Sequence, residues 1–160
     1  MRNIDTLIVH CSATRADMDI GSSEIDVWHR QRGWFRCGYH AVIRRDGTVE
    51  TAATGHKPRP LDMVGSHVGG CGPGWNTRSL GVCLVGGIDR KGEPENNFTE
   101  AQFASLERVL REWLKLFPGS QIMGHRDLIK LTRTSPKACP SFDVLPWLSA
   151  RGIPTPAPHG

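Results

Sequence analysis

Thr6-Leu7-Ile8-Val9-His10 is a short apolar run with a β-branched bias, and it ends at the polar pair Cys11-Ser12. Five residues are too few for a helix of ordinary length, so the run reads as a buried strand. His10 closes that strand at its C-terminal end, where ligands gather in open α/β sheets. A second run of the same kind, Ser79-Leu80-Gly81-Val82-Cys83-Leu84-Val85, reads as a central strand. Gln121-Ile122-Met123 is a third, shorter candidate.

Between these strands the sequence changes period. Ser22 to Gly33 has a serine to cap it, an acidic first turn, Ile25 and Trp28 three apart, late arginines and a glycine to stop it, which predicts a helix. His40 to Arg45, then Asp46-Gly47, then Thr48 to Thr51 is a hairpin signal, because Asp-Gly supplies positive φ angles. Thr54 to Arg78 carries many Gly and Pro residues and little periodicity, the pattern of a long functional loop. Thr99-Glu100-Ala101-Gln102 is a capping box opening a helix with Phe103, Leu106, Val109, Leu110, Trp113 and Leu114 on one face, stopped near Pro118-Gly119. Phe142 to Arg151 predicts a last helix with Pro146 in an early turn.

The chain has 160 residues, 38% of them hydrophobic, which suits one domain with a single core. Residues 1–152 are expected to form that domain, and the proline-rich 153–160 to be a flexible tail. No apolar run reaches transmembrane length, and Met1-Arg2-Asn3-Ile4-Asp5 lacks the pattern of a secretory signal. Synthesis in the cytoplasm without membrane insertion is the expectation. Five cysteines form an odd, scattered set, unlike a disulfide framework. The formal charge of +4 suits an anionic polymer or membrane surface, but the basic residues are dispersed and no finger or helix-turn-helix spacing appears, which argues against nucleic acid.

Seven histidines raise the question of a metal. Spacing does not answer it, because His10, His125 and Cys139 lie far apart, unlike the local pairs of structural zinc sites. The longer motifs do more. Val9-His10-Cys11-Ser12-Ala13-Thr14, Gly38-Tyr39-His40, Arg45 to Glu50, Gly65-Ser66-His67, Asn76 to Asp89 and Pro136 to Asp143 occur in an order that resembles the phage-type zinc N-acetylmuramoyl-L-alanine amidases, of the amidase-2 and peptidoglycan recognition protein superfamily. The resemblance runs from residue 7 to about 148.

That resemblance implies a mixed α/β fold, a central sheet flanked by helices, with one zinc in a groove on one face. The family's ligands fall on His10, His125 and Cys139. Three N/S donors leave a fourth position open, as a catalytic zinc needs. Its catalytic side chains fall on Tyr39, to orient or deprotonate the attacking water, and Lys137, to stabilise the oxyanion. His67 and Asn76 match substrate-groove positions. Trp28, His29 and Trp34 also match family positions, but their helical spacing points to packing, and His40 reads as structural. The segment Asp127 to Ser135 is longer and more basic than in compact members, with Lys130 and Arg133 added.

The implied reaction is cleavage of the amide between N-acetylmuramic acid and L-alanine of peptidoglycan, by a monomer that reaches the wall after holin-type release. A muropeptide-recycling amidase is the alternative within the same chemistry. Some small phage amidases also bind a phage RNA polymerase, which makes that polymerase a second candidate partner. A receptor that binds without cutting is disfavoured, because such superfamily members lack the cysteine ligand. A glycosidase is disfavoured too, since no pair of carboxylates is suggested by the sequence.

Overall fold

Five strands make one mixed sheet in the order β4-β3-β5-β1-β7 in the computed structural model, which describes residues 2–154. β1 (Thr6–Cys11) lies parallel between β5 (Ser79–Leu84) and β7 (Gln121–Gly124), with Thr6 opposite both Ser79 and Gln121. β5 pairs in parallel with β3 (Ala41–Ile43) on its other side, and β4 (Val49–Glu50) closes the edge antiparallel to β3. A separate two-stranded ribbon joins β2 (Thr14–Arg15) to β6 (Gly87–Ile88). The strands expected around residues 6–10, 79–85 and 121–123 are present, and β5 is central.

Alternation along each strand sorts side chains onto two faces. Leu7, Val9, Leu80, Val82, Leu84, Ala41, Ile43 and Ile122 point one way. They cluster with α2 (Glu100–Leu116) and α4 (Val144–Ala150) through Leu106, Leu110, Trp113, Val144 and Leu148. On the other face Ile8 and Met123 pack with Leu128 and Ile129 of α3 (His125–Thr132), while Val42 and Cys83 pack with Ile25 of α1 (Ser22–Gln31). By the same alternation His10 and Gly81 belong to this second face.

The long helix follows its sequence signal closely. Gln102 N–H donates to Thr99 Oγ1 at 3.1 Å and Thr99 N–H to Gln102 Oε1 at 3.0 Å, the two halves of the expected capping box. α1 departs from expectation at its start. Its N-cap is Gly21, not a serine, and the Ser22 N–H donates to Glu50 Oε1 at 2.6 Å, so a carboxylate from the hairpin complements the helix N-terminus. The hairpin also differs in detail. Only Gly47 of the Asp-Gly pair has positive φ, at 89°, and Arg44 N–H donates to Thr48 O, so the connection is a three-residue loop.

Residues 125–132 form helix α3, which the sequence reading did not assign, so much of the longer, more basic segment 127–135 is a folded element. At the C-terminus Ile153 is buried in the core and its N–H donates to Leu148 O at 3.0 Å, so the folded unit extends one residue past the expected boundary. Residues 155–160 of the proline-rich tail lie outside the described residues. No helix among the described residues is long and apolar enough to cross a membrane.

Candidate metal centre

His10, His125 and Cys139 come from three differently built elements. His10 is the penultimate residue of β1 and is almost fully buried. His125 is the first residue of α3, into which β7 runs directly. Asp127 explains the Gly-His-Arg-Asp stretch physically: its Oδ2 accepts the Gly124 N–H at 2.8 Å, satisfying a donor at the helix start and setting the direction in which His125 leaves the sheet.

Cys139 is tied to both. The Arg126 N–H donates to Cys139 O at 2.8 Å, and the Arg126 guanidinium pairs with Asp143, which holds the 137–143 segment against α3. The Cys11 N–H at the end of β1 donates to Cys139 Sγ at 3.3 Å. As a result one ligand atom from each of His10, His125 and Cys139 lies within 4.8 Å of the others. His10 Nδ1 is 3.8 Å from Cys139 Sγ, and the His10 and His125 ring centres are 4.7 Å apart.

Electrostatics keeps the two imidazoles neutral. Burial holds His10 well below the ordinary imidazole range, reinforced by His125, His67 and Lys137. Burial and then Lys137 bring His125 down to about 4. The Cys139 thiol is pushed up by its hydrogen bond with Cys11 and by burial, so its thiolate needs a cation beside it. Two neutral imidazoles and one thiol without a carboxylate make a donor set for a borderline-soft divalent cation, unlike the all-oxygen sites of magnesium or calcium.

A groove of about 570 Å³ opens beside the cluster, lined among others by Arg32, Trp34, His67, Asn76, His125 and Lys137. Lys137 is exposed on its wall. Tyr39 stands behind His10, ring centres 5.1 Å apart, and burial with the neighbouring Cys83 and Cys139 thiols holds its hydroxyl well above the usual phenol range. Tyr39 is therefore a neutral phenol. Asn76 Oδ1 accepts the Val68 N–H at 2.9 Å, so this side chain also braces the loop it stands on.

All seven residues singled out from sequence thus gather at one end of the sheet, and His67, which lines the groove, is also more deeply set than its groove position implied. It is only 6% exposed, with Nδ1 at 2.8 Å from His10 Nε2 and Nε2 at 3.3 Å from Ser79 Oγ. It forms floor more than wall. Trp34 is the opposite case. Sequence spacing grouped it with α1 packing, yet α1 ends at Gln31, and Trp34 turns back onto His29 (ring centres 4.4 Å) to line the groove. The stop signal at Gly33 was the clue that Trp34 had left the helix. His29 and His40 are structural as expected: His29 Nδ1 accepts the Gly38 N–H at 2.9 Å and His40 Nδ1 the Gly81 N–H at 3.1 Å.

Away from this groove, a cavity of about 670 Å³ lies between Ala52, Pro60 and Leu61 on one side and Trp113 and Leu116 of α2 on the other, and contains none of the donor cluster. All five cysteines are free. Burial pushes the Cys37 thiol up to about 11, as suits an inert packing residue.

An α/β sheet carrying three nitrogen and sulfur donors at the head of an open groove, with a lysine on the wall, has the build of a metallohydrolase. The chain belongs to the amidase-2 family of N-acetylmuramoyl-L-alanine amidases, whose sequence profile matches residues 1–142. It is 50% identical over 147 residues to an endolysin of Enterobacteria phage K11, covering 92% of this chain and 87% of that one. An endolysin of Klebsiella phage KP32 is 48% identical over 154 residues, with 96% and 91% covered. Among solved structures, the N-acetylmuramoyl-L-alanine amidase LysC from Clostridium intestinale superposes with a TM-score of 0.71 at 26% identity, over 94% of this chain and 85% of that one. The protein is thus a peptidoglycan amidase, acting on the bond between N-acetylmuramic acid and L-alanine.

Proposed function

We propose that this amidase is a zinc-dependent endolysin, which opens the host wall at the end of a phage infection cycle. The observation that carries the metal is the convergence of His10, His125 and Cys139 within 4.8 Å at the head of an open groove. The lytic role is supported by endolysins that match this chain over nearly its full length.

His10, His125 and Cys139 would hold the zinc, which when bound supplies a Lewis acid for the scissile carbonyl and lowers the pKa of water. The Lys137 ammonium, exposed at the groove wall, is placed to meet negative charge as the carbonyl becomes tetrahedral. Tyr39, held as a phenol, orients the attacking water by hydrogen bonding, since burial disfavours the phenolate that a base would need. Asn76, with its oxygen already engaged, keeps its amide N–H groups for the stem peptide. The enzyme acts on the wall from outside the bilayer, so a separate membrane-permeabilising partner delivers it.

Purified protein offered intact sacculi and soluble muropeptides in parallel tests this role. An endolysin solubilises the sacculi. Turnover of soluble muropeptides with sacculi left intact would instead identify a recycling enzyme.

A further inference from the structure

His67 has neither ring nitrogen free for a substrate, and the way both are used has a consequence for His10. Four groups form one chain of hydrogen bonds. His10 Nε2 lies 2.8 Å from His67 Nδ1, His67 Nε2 lies 3.3 Å from Ser79 Oγ, and Ser79 Oγ lies 2.6 Å from Trp75 O. The last group is a carbonyl and can only accept, so the Ser79 hydroxyl proton points to it. Ser79 Oγ therefore turns a lone pair to His67, and the His67 proton sits on Nε2. That leaves His67 Nδ1 as an acceptor, to which the His10 Nε2–H donates.

His10 and His67 are both almost fully buried, so solvent does not compete for this chain of hydrogen bonds. The His67 ring is also held in orientation. A Cβ on Gly81 would lie 2.6 Å from His67 Nδ1, and one on Gly65 would lie 2.8 Å from His67 Cδ2, so the ring occupies space that only glycine leaves open at both positions.

We infer that His67 is a positioning residue, which fixes the tautomer of His10 so that its Nδ1 lone pair faces Cys139 and His125 as a preformed metal donor. The carbonyl of Trp75, three hydrogen bonds away, sets the direction of the whole chain. A metal-ligating histidine commonly gives its second N–H to a carboxylate or a backbone carbonyl. Here a second histidine stands between the ligand and the carbonyl, which accounts for Ser79 and His67 being buried polar residues beneath a groove. The inference rests on His10 being a zinc ligand, as proposed above.

The test uses the full chain with ¹⁵N-labelled histidine. Long-range proton–nitrogen spectra, with and without zinc, are expected to show the proton on Nε2 in both His10 and His67. A proton on Nδ1 of either ring overturns the relay. Competition with a chelator then measures zinc affinity. His67→Leu, which cannot accept a proton, is expected to weaken binding about 10-fold to 100-fold. His67→Asn, whose Oδ1 can accept near the position of Nδ1, is expected to stay within a few-fold of the native protein. Equal loss in both variants would reduce His67 to a packing role and overturn the inference. A native chain that takes up no zinc would refute the metal reading instead, and the tautomers would still decide the relay; the same spectra decide it if His67→Leu fails to fold.

Discussion

On the α2 side of the sheet, Leu7, Val9, Leu80, Val82 and Leu84 are sealed under Leu106, Leu110 and Trp113. On the opposite side the same strands present Ile8, His10, Gly81 and Cys83 to two short helices and a long loop carrying His67. Residues one apart in sequence thus serve different ends. The first face gains stability from apolar area and needs only shape and volume. The second gives up apolar contact for polar groups that must each find a partner, and its buried histidines are tied to carbonyls, N–H groups and one another. A stable face holds a chemically demanding one in place.

The sharpest way to break this division is at the donors. Cys139→Ser, His10→Ala and His125→Ala are each expected to abolish zinc binding and turnover, measured by metal analysis and sacculus hydrolysis on the same sample. A donor variant that retains full activity when shown to be metal-free would dissolve the distinction. Next in size are Tyr39→Phe and Lys137→Ala, expected to keep zinc while losing roughly 100-fold to 1000-fold in rate. Near-native rates in both would remove these two side chains from catalysis without touching the centre.

The apolar face should respond in the opposite currency. Leu110→Ala, at a fully buried position, is expected to cost about 2–5 kcal/mol in urea unfolding while the folded enzyme keeps its kcat. A loss of kcat without a loss of stability would mean that the faces are not separable. Of similar size is the response to acid. Burial brings His40 down from 6.5 to about 4, so its neutral form belongs to the folded state. Its contribution is present above pH 6.5 and is lost as pH falls towards 4, on the order of 3 kcal/mol in all. Unfolding free energy measured in steps from pH 7 to 4 should decline across that window; a flat profile would count against the buried neutral histidine.

The two faces were also unequally legible. β1, β5 and α2 could be read from composition and period because burial on the α2 side imposes a repeating pattern, and Thr99 to Gln102 is a local cap with its partners three residues apart. The centre has no such period. Its donors are 115 and 14 residues apart along the chain, from His10 to His125 and on to Cys139, and are joined by contacts such as Cys11 N–H to Cys139 Sγ that no local rule anticipates. Only the resemblance to a family picked them out. His67 was recognised as a groove residue but not as an interior one, because its partners His10 and Ser79 meet it through the fold. Trp34 was misread for the reverse reason: helical spacing was carried past the point where α1 stops.

The proposed metal centre on the histidine face should cut an amide and leave sugars alone. Purified peptidoglycan should be digested with zinc-loaded protein and with the same protein stripped of metal, and the products read by mass spectrometry with an assay for reducing ends. The loaded enzyme is expected to release stem peptides with a free alanine amino terminus and to leave glycan strands uncut, with no products from the stripped enzyme until zinc is restored. New reducing ends on sugar-bearing fragments, or the same stem peptides from verified metal-free protein, would contradict it.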